Sequence, residues 1–277
     1  MNAKQPLQII DTTLRDGSHA VRHSFTLEQT RQIAARLDQC RVPIIEVSHG
    51  DGIGGSSYTY GFSKEDPFQL IEAAAQSVRN AKIAVLLLPG IGTIADLERA
   101  KGCGASVVRV ATHSTEADIS AQHIGAAKQM GLMAVGFLMM VHMLDPEGLA
   151  EQAEKMEAYG ADYINLADSA GALLPEQVRE RIEAVRAAVS IPVGFHAHNN
   201  LGLAIANSLS AFDAGASYID ATLRGLGAGA GNTQLEVLAG VLRRKGVETG
   251  LDFYGLIDAS EQAVAPVMLR PQVVDGG

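Results

Sequence analysis

The sequence predicts an α/β protein, a (β/α)8 barrel of parallel strands with a short C-terminal helical extension. Three observations predict it. Short apolar, β-rich runs recur eight times along the 277 residues, each followed by a polar or Gly-rich turn and then a stretch of helical periodicity. The phrases KGCGASVVRV, YGADYINL and AGASYIDA repeat one pattern of helix end, Gly-Ala and strand, a weak internal repeat with the period of a βα unit. Polar residues, with six of the eight histidines among them, gather just after the strands, the face on which a parallel barrel carries its chemistry. A doubly wound sheet is the runner-up.

In order, strands are predicted over 7–11, 44–48, 83–88, 106–110, 133–139, 163–167, 193–198 and 218–221. Helices are predicted over 27–39, 67–78, 93–101, 117–130, 146–159, 175–189, 201–214 and 234–245. Pro146 and Pro175 stand near helix starts, where a missing N–H costs nothing. Gly102, Gly131, Gly160 and Gly215 read as left-handed caps that close a helix before the next strand. The rhythm stops near Gly250, so 1–250 reads as the catalytic barrel and 251–277 as the start of the extension, with one more helix over 253–265.

Composition narrows the function. A net charge of −9 argues against nucleic acid or an anionic membrane as partner. Cys40 and Cys103 fit neither a metal-binding CxxC pattern nor a disulfide framework, as expected of a reducing cytoplasm. The N-terminal MNAKQPLQ has no signal-peptide core, and the longest apolar run, 132–141, falls far short of the ~20 residues that cross a bilayer. A soluble cytoplasmic protein is expected.

The chain is organised around its first strand, whose apolar run ends abruptly in Asp11, Arg15, Asp16, His19, Arg22 and His23. Such a loop offers an oxygen ligand for a cation, a guanidinium for a carboxylate or enolate, and an imidazole for proton transfer. Later strand ends add His49 and Asp51, His113, His142, Asp168 and Ser169, His196, His198 and Asn199, then Thr222 and Arg224. In FHAHN, 195–199, histidines at i and i+2 of a strand point to one face, here the barrel mouth. With Asp16 from the neighbouring first strand they make a two-His-one-carboxylate set that suits a divalent ion and leaves positions open for a chelating substrate. GLGAGAGN, 225–232, contains a GxGxxA string, but its place after the last strand makes it a barrel loop able to close over the mouth or bind an anion. Asn232 could place an oxygen near the metal or cap the following helix. Of the lysines at 4, 64, 82, 101, 128, 155 and 245, only Lys82 touches a strand, at its N-terminal end, which argues against Schiff-base or carbamylated-lysine chemistry. The cysteines sit on or beside helix ends, as packing residues do.

These residues resemble the metal-dependent pyruvate-enolate barrels of the HMG-CoA lyase-like superfamily, whose first strand ends in DxTLRDG and whose seventh carries HxH. DTTLRDGSHAVRHSFT, LLLPGIGT, the ADSAG at 167–171 and GLGAGAGN are most similar to 4-hydroxy-2-oxovalerate aldolases, across nearly the whole chain. The Claisen-condensing synthases typically have Glu-Gln where Ser18-His19 stands, and the acyl-CoA lyases carry a Cys in the Gly-rich loop that is absent here. The resemblance implies a metal-dependent aldolase that cleaves 4-hydroxy-2-oxo acids such as 4-hydroxy-2-oxopentanoate to pyruvate and acetaldehyde in meta-cleavage aromatic catabolism. It implies Asp16, His196 and His198 as metal ligands, these two of the set also contacting substrate with Arg15 (Asp16 and His196). Arg15 would be the enolate stabiliser, His19 the catalytic base, Ser169 a substrate contact, and Leu86 and Leu88 walls of an aldehyde pocket. Mn2+ is the first expectation for the metal, with Co2+, Mg2+ or Zn2+ as alternatives. Implied partners are a small 2-oxo acid, an acylating acetaldehyde dehydrogenase and a second copy in a homodimer. Relatives continue into a helical segment with a Gly-Tyr-Ala motif, so a chain ending at Gly277 reads as a truncated or short variant. The alternatives are a Claisen-type acyltransferase or lyase acting on CoA thioesters, and an inactive barrel serving as a binding subunit.

Overall fold

In the computed structural model, which describes residues 7–274, the strands are β1 (Gln8–Asp11), β2 (Ile44–Glu46), β3 (Lys82–Leu87), β4 (Val107–His113), β5 (Met133–Met139), β6 (Tyr163–Asp168), β7 (Val193–Ala197) and β8 (Tyr218–Ala221). All pair in parallel and in chain order, and β1 closes the ring on β8 with Ile10 opposite Asp220 and Asp11 opposite Ala221. The predicted barrel is the one observed. The helices are α1 (Gly17–Ala20), α2 (Leu27–Gln39), α3 (Pro67–Ser77), α4 (Ile94–Gly102), α5 (Ala121–Gln129), α6 (Pro146–Ala158), α7 (Pro175–Ala188), α8 (Ala204–Asp213), α9 (Leu235–Arg244) and α10 (Phe253–Ala259). Lys4 and most of the stretch judged for a signal core lie outside the described residues. Among those described, no helix is long and apolar enough to cross a membrane.

Local chemistry sets the helix boundaries. Thr26 and Thr93 start α2 and α4 with capping boxes closed by Gln29 and Asp96. Prolines open α3, α6 and α7. Three of the four glycine caps hold; at the fourth, Gly102 ends α4 within the helix, and the left-handed residue is Gly104, with φ of 104°. The stretch 117–130 divides into a 3-10 turn, Ala117–Ser120, and α5. The predicted helix over 253–265 gives way after α10 to a π turn, Ser260–Val264, and a 3-10 turn, Ala265–Val267. There the Ser260 hydroxyl bonds the Ile257 carbonyl, and Pro266 has no N–H to continue the ladder.

The barrel interior is layered. Ile10, Ile44, Ala84, Val107, Val135 and Tyr163 fill the end near the strand starts. Leu86, Ala111, Phe137 and Ala167 fill the end toward the mouth, with Leu88 and Met139 packed on them. Between these apolar layers stand Glu46, Arg109, Asn165 and Asp220, all buried. Arg109 donates from Nη1 to Glu46 Oε2 at 3.0 Å and from Nη2 to Asp220 Oδ2, and its guanidinium lies over the Phe137 ring. A buried charge left without its partner costs ~3–5 kcal/mol, so this layer is tolerable only as a paired unit. It also reaches upward to the mouth.

Candidate metal centre and active site

The site begins with the turn that follows β1. Asp11 accepts the Thr13 N–H at 2.9 Å and the Thr13 hydroxyl at 2.8 Å, and Thr13 Oγ1 in turn accepts the Leu223 N–H at 2.9 Å from the loop after β8. Burial pushes the Asp11 carboxyl up to about 7, the Thr13 bonds offsetting only part of that rise. The turn presents Arg15 and Asp16, both buried, to the mouth.

Asp16, His196 and His198 converge as the sequence predicts. Asp16 Oδ2 lies 3.4 Å from His196 Nε2 and 3.7 Å from His198 Nε2, and the two ring nitrogens are 3.3 Å apart. Ligand atoms on one ion at ~2.0–2.2 Å stand about 3.0–3.5 Å from each other, so these three are spaced to share a cation. His196 Nδ1 sits 2.8 Å from Asp220 Oδ2, which makes that nitrogen an N–H donor and turns Nε2 toward Asp16 and His198. Burial opposes ionisation of Asp16, yet Arg15, His198 and His196 hold its carboxyl well below the usual carboxylate range. Burial likewise drives His198 down to about 4, with Asp16 offsetting part of the drop. His196 is raised: burial favours its neutral ring, but the Asp16 and Asp220 acceptors outweigh it. An ionised carboxylate and a neutral His198 are the protonation states a cation needs.

Arg15 is held from both sides. Its Nε donates to Glu46 Oε2 and its Nη1 to Asp16 Oδ2, each at 2.8 Å, and among the described residues Nη2 makes no hydrogen bond. Glu46, Arg109 and Asp220 therefore link Arg15 to His196 through the barrel interior. The sequence reading missed these three. Their signal was a charge inside an apolar strand: the Glu of IIE, the Arg of VVRV and the Asp of YIDA.

His19 stands on α1, half-buried, with its ring against Gly50; a Cβ on Gly50 would lie 2.5 Å from the ring. It borders a cavity of about 300 Å3 shared with Arg22, Gly227, Ala228, Gly229 and Gln272. His23, four residues on from His19, stacks on His49 with centroids 3.7 Å apart. Leu86 and Leu88 belong to the mouth-side apolar layer. Ser169 Oγ accepts the Met140 N–H at 3.1 Å and keeps its own proton to donate.

Other rim residues are structural. Asp168 accepts the Ala172 and Leu173 N–H groups and shapes the loop after β6. His113 bonds Thr115. The Gly-rich loop closes onto the site, for Ala228 N–H donates to Asp16 Oδ1 at 2.9 Å. Asn232 caps no helix, since Gln234 is the N-cap of α9, and among the described residues its buried amide has no hydrogen-bond partner.

The fold and this mouth define a class. Residues 6–263 match the model of the HMGL-like family, and relatives named 4-hydroxy-2-oxovalerate aldolase match almost the whole chain. The chain belongs to the HMGL-like family and, within it, to the 4-hydroxy-2-oxovalerate aldolases. The aldolase of Geobacillus genomosp. 3 is 59% identical over 98% of this chain and 81% of its own length. That of Carboxydothermus hydrogenoformans is 60% identical over 97% of this chain and 80% of its own length. Among solved structures, the carboxyl transferase domain of Rhizobium etli pyruvate carboxylase, determined with pyruvate, superposes with a TM-score of 0.82 at 21% identity, covering 96% of this chain and 48% of that one. At that identity the likeness is one of fold.

Proposed function

We propose that this chain is a divalent-metal-dependent carbon–carbon lyase that cleaves 4-hydroxy-2-oxo acids, 4-hydroxy-2-oxopentanoate among them, to pyruvate and an aldehyde. The observation that carries the reading is the convergence of Asp16, His196 and His198 beside an Arg15 whose Nη2 makes no hydrogen bond among the described residues, in a chain about 60% identical to aldolases of that name. The donor set fits a cation, since its three ligand atoms lie within 4.8 Å of one another. One carboxylate and two imidazoles suit Mn2+ and tolerate its neighbours in the divalent series. When bound, the ion supplies Lewis-acid polarisation of the 2-oxo group.

His19 takes the proton of the 4-hydroxyl. The C3–C4 bond breaks, its electrons pass to the enolate of pyruvate, and the former C4 leaves as the aldehyde carbon. Arg15, pre-oriented by Glu46 and Asp16, donates to the developing oxyanion. Protonation of C3, by the proton His19 carries, completes pyruvate and returns His19 to its neutral form. Ser169 donates to the substrate's polar end, and Leu86, Leu88, Phe137 and Met139 wall the aldehyde end against water.

The test is pyruvate release from 4-hydroxy-2-oxopentanoate, coupled to lactate dehydrogenase, after chelation and again with Mn2+ restored. Turnover should vanish with the metal and return with it; a folded, metal-loaded protein that releases no pyruvate overturns the reading. Arg15→Ala should lose 10²–10³-fold in kcat, about 3–4 kcal/mol, and Arg15→Lys should recover little because the planar fork is gone.

A further inference from the structure

Beside the first centre the mouth holds a second group of potential ligands. One ligand atom each from His19, His23 and Asp51 lie within 4.8 Å of one another. The group is assembled from two loops. His19 and His23 flank the end of α1, where Arg22 and His23 both take left-handed conformations, with φ of 54°. Asp51 comes from the loop after β2, whose glycines give the imidazoles room: a Cβ at Gly50 would strike His19, and one at Gly55 would come within 2.6 Å of His49 Nδ1.

Hydrogen bonds decide which nitrogens are free. Both nitrogens of His49 are engaged, Nε2 with the Gly61 carbonyl at 3.1 Å and Nδ1 with the Asp51 N–H at 3.1 Å. His49 is thus the platform on which His23 stacks, and not a ligand. His23 Nδ1 meets Ser18 Oγ at 3.2 Å, leaving Nε2 unengaged, and among the described residues neither nitrogen of His19 has a hydrogen-bond partner. Among the described residues the Asp51 carboxylate makes one long contact, 3.5 Å from Oδ2 to His49 Nδ1, and its side chain is 28% exposed.

We propose that His19, His23 and Asp51 form a second, weaker transition-metal site that takes Zn2+. Two imidazole nitrogens and a carboxylate oxygen are zinc ligands, with the fourth position left to water. A tetrahedral ion needs its ligand atoms about 3.4 Å apart, so the group closes by roughly 1 Å on binding; the exposed Asp51 and half-buried His19 supply that movement. Zn2+ outcompetes Mn2+ for such donors, and nothing in the group favours the harder ion. The site stands on this geometry alone. Its consequence rests on the function proposed above: an ion on His19 removes the base, so excess zinc switches the enzyme off.

The test is zinc stoichiometry, which reads the site without turnover. The metal-free full chain is titrated with Zn2+ against a chromophoric chelator, alongside Asp51→Asn and a His23→Gln/Asp51→Asn double variant, with circular dichroism confirming the fold. Two equivalents are expected for the wild type, one for the double variant, and a second dissociation constant at least 10-fold weaker in Asp51→Asn, which a fold tolerant of a solvent-facing amide retains. Saturation of the wild type at one equivalent, or of the double variant at two, overturns the site. With the Mn2+-loaded enzyme, zinc inhibition should be relieved in Asp51→Asn. Equal inhibition in both proteins would mean that zinc acts by displacing Mn2+, and would refute the switch.

Discussion

Gly50 is the most economical place to ask whether His19 does the chemistry. A Cβ there would lie 2.5 Å from His19 Cε1, 2.6 Å from Nε2 and 2.8 Å from Cδ2. Non-bonded carbons settle at ~3.5–4.0 Å, so in Gly50→Ala the imidazole must retreat by about 1 Å. The obstacle is a side-chain ring that can rotate away, and Gly50 has no left-handed backbone to strain. The fold should therefore persist, with the alanine even adding ~0.4–1 kcal/mol through the unfolded chain. A catalytic group misplaced by ~1 Å loses on the order of 10²-fold in rate, about 2.7 kcal/mol of barrier. Steady-state kcat on 4-hydroxy-2-oxopentanoate, with metal content and melting temperature measured on the same samples, reads the effect. In a His19→Ala background the same substitution should do almost nothing further, since both act through one ring. A Gly50→Ala enzyme within about threefold of wild-type kcat would refute His19 as the base held in that position.

Two further perturbations probe the supports of the site. Asp220→Asn removes the carboxylate that orients His196 and neutralises Arg109. Metal affinity should fall ~10–100-fold, and stability by about 3–5 kcal/mol; chelator competition and urea midpoints check both, and an unchanged metal dissociation constant would rule out the orienting role. His23 contributes to the pH dependence: burial, then the neighbouring His49 and His19, hold it down to about 4. An unfolded histidine protonates near 6.5, so the unfolded chain binds the proton first. The stability this ring contributes is present above about pH 6.5 and lost as pH falls toward about 4. His23→Asn should reduce the slope of melting temperature against pH across that window, with His49, His123 and His198 retaining a slope of the same sign and Asp11, raised to about 7, opposing it; parallel curves would disprove it.

The periodic features of the sequence survived folding because one βα unit is a local object. Pro67, Pro146 and Pro175 start their helices and Gly131, Gly160 and Gly215 end theirs through forces that act within a few residues. Gly102 misled because two glycines, Gly102 and Gly104, stand at one helix end, and the left-handed conformation falls on the second. His196 and His198 were readable at the mouth because i, i+2 alternation at a strand end gives them one direction, and Arg15 and Asp16 because the turn after β1 opens on the same rim. Glu46, Arg109 and Asp220 were not, since a lone charge in an apolar strand gains its meaning from partners 63 and 111 residues away. The pairing of His23 with His49 is likewise invisible along the chain, although the i, i+4 spacing of His19 and His23 marks them as neighbours.

The hydrogen bond from Ala228 to Asp16 spans 212 residues and joins the first βα loop to the last. At ~5–20 residues per second, a ribosome delivers the second partner about ten to forty seconds after the first. For that interval Asp16 and Arg15 wait on an unfinished sheet, with β8 not yet made to close the ring. His196 and His198 join Asp16 once β7 has been made, and the Ala228 N–H reaches it only after β8 has closed the ring. The two loops that border the mouth are thus the first and the last to be made, and the mouth is whole only when the chain has passed β8.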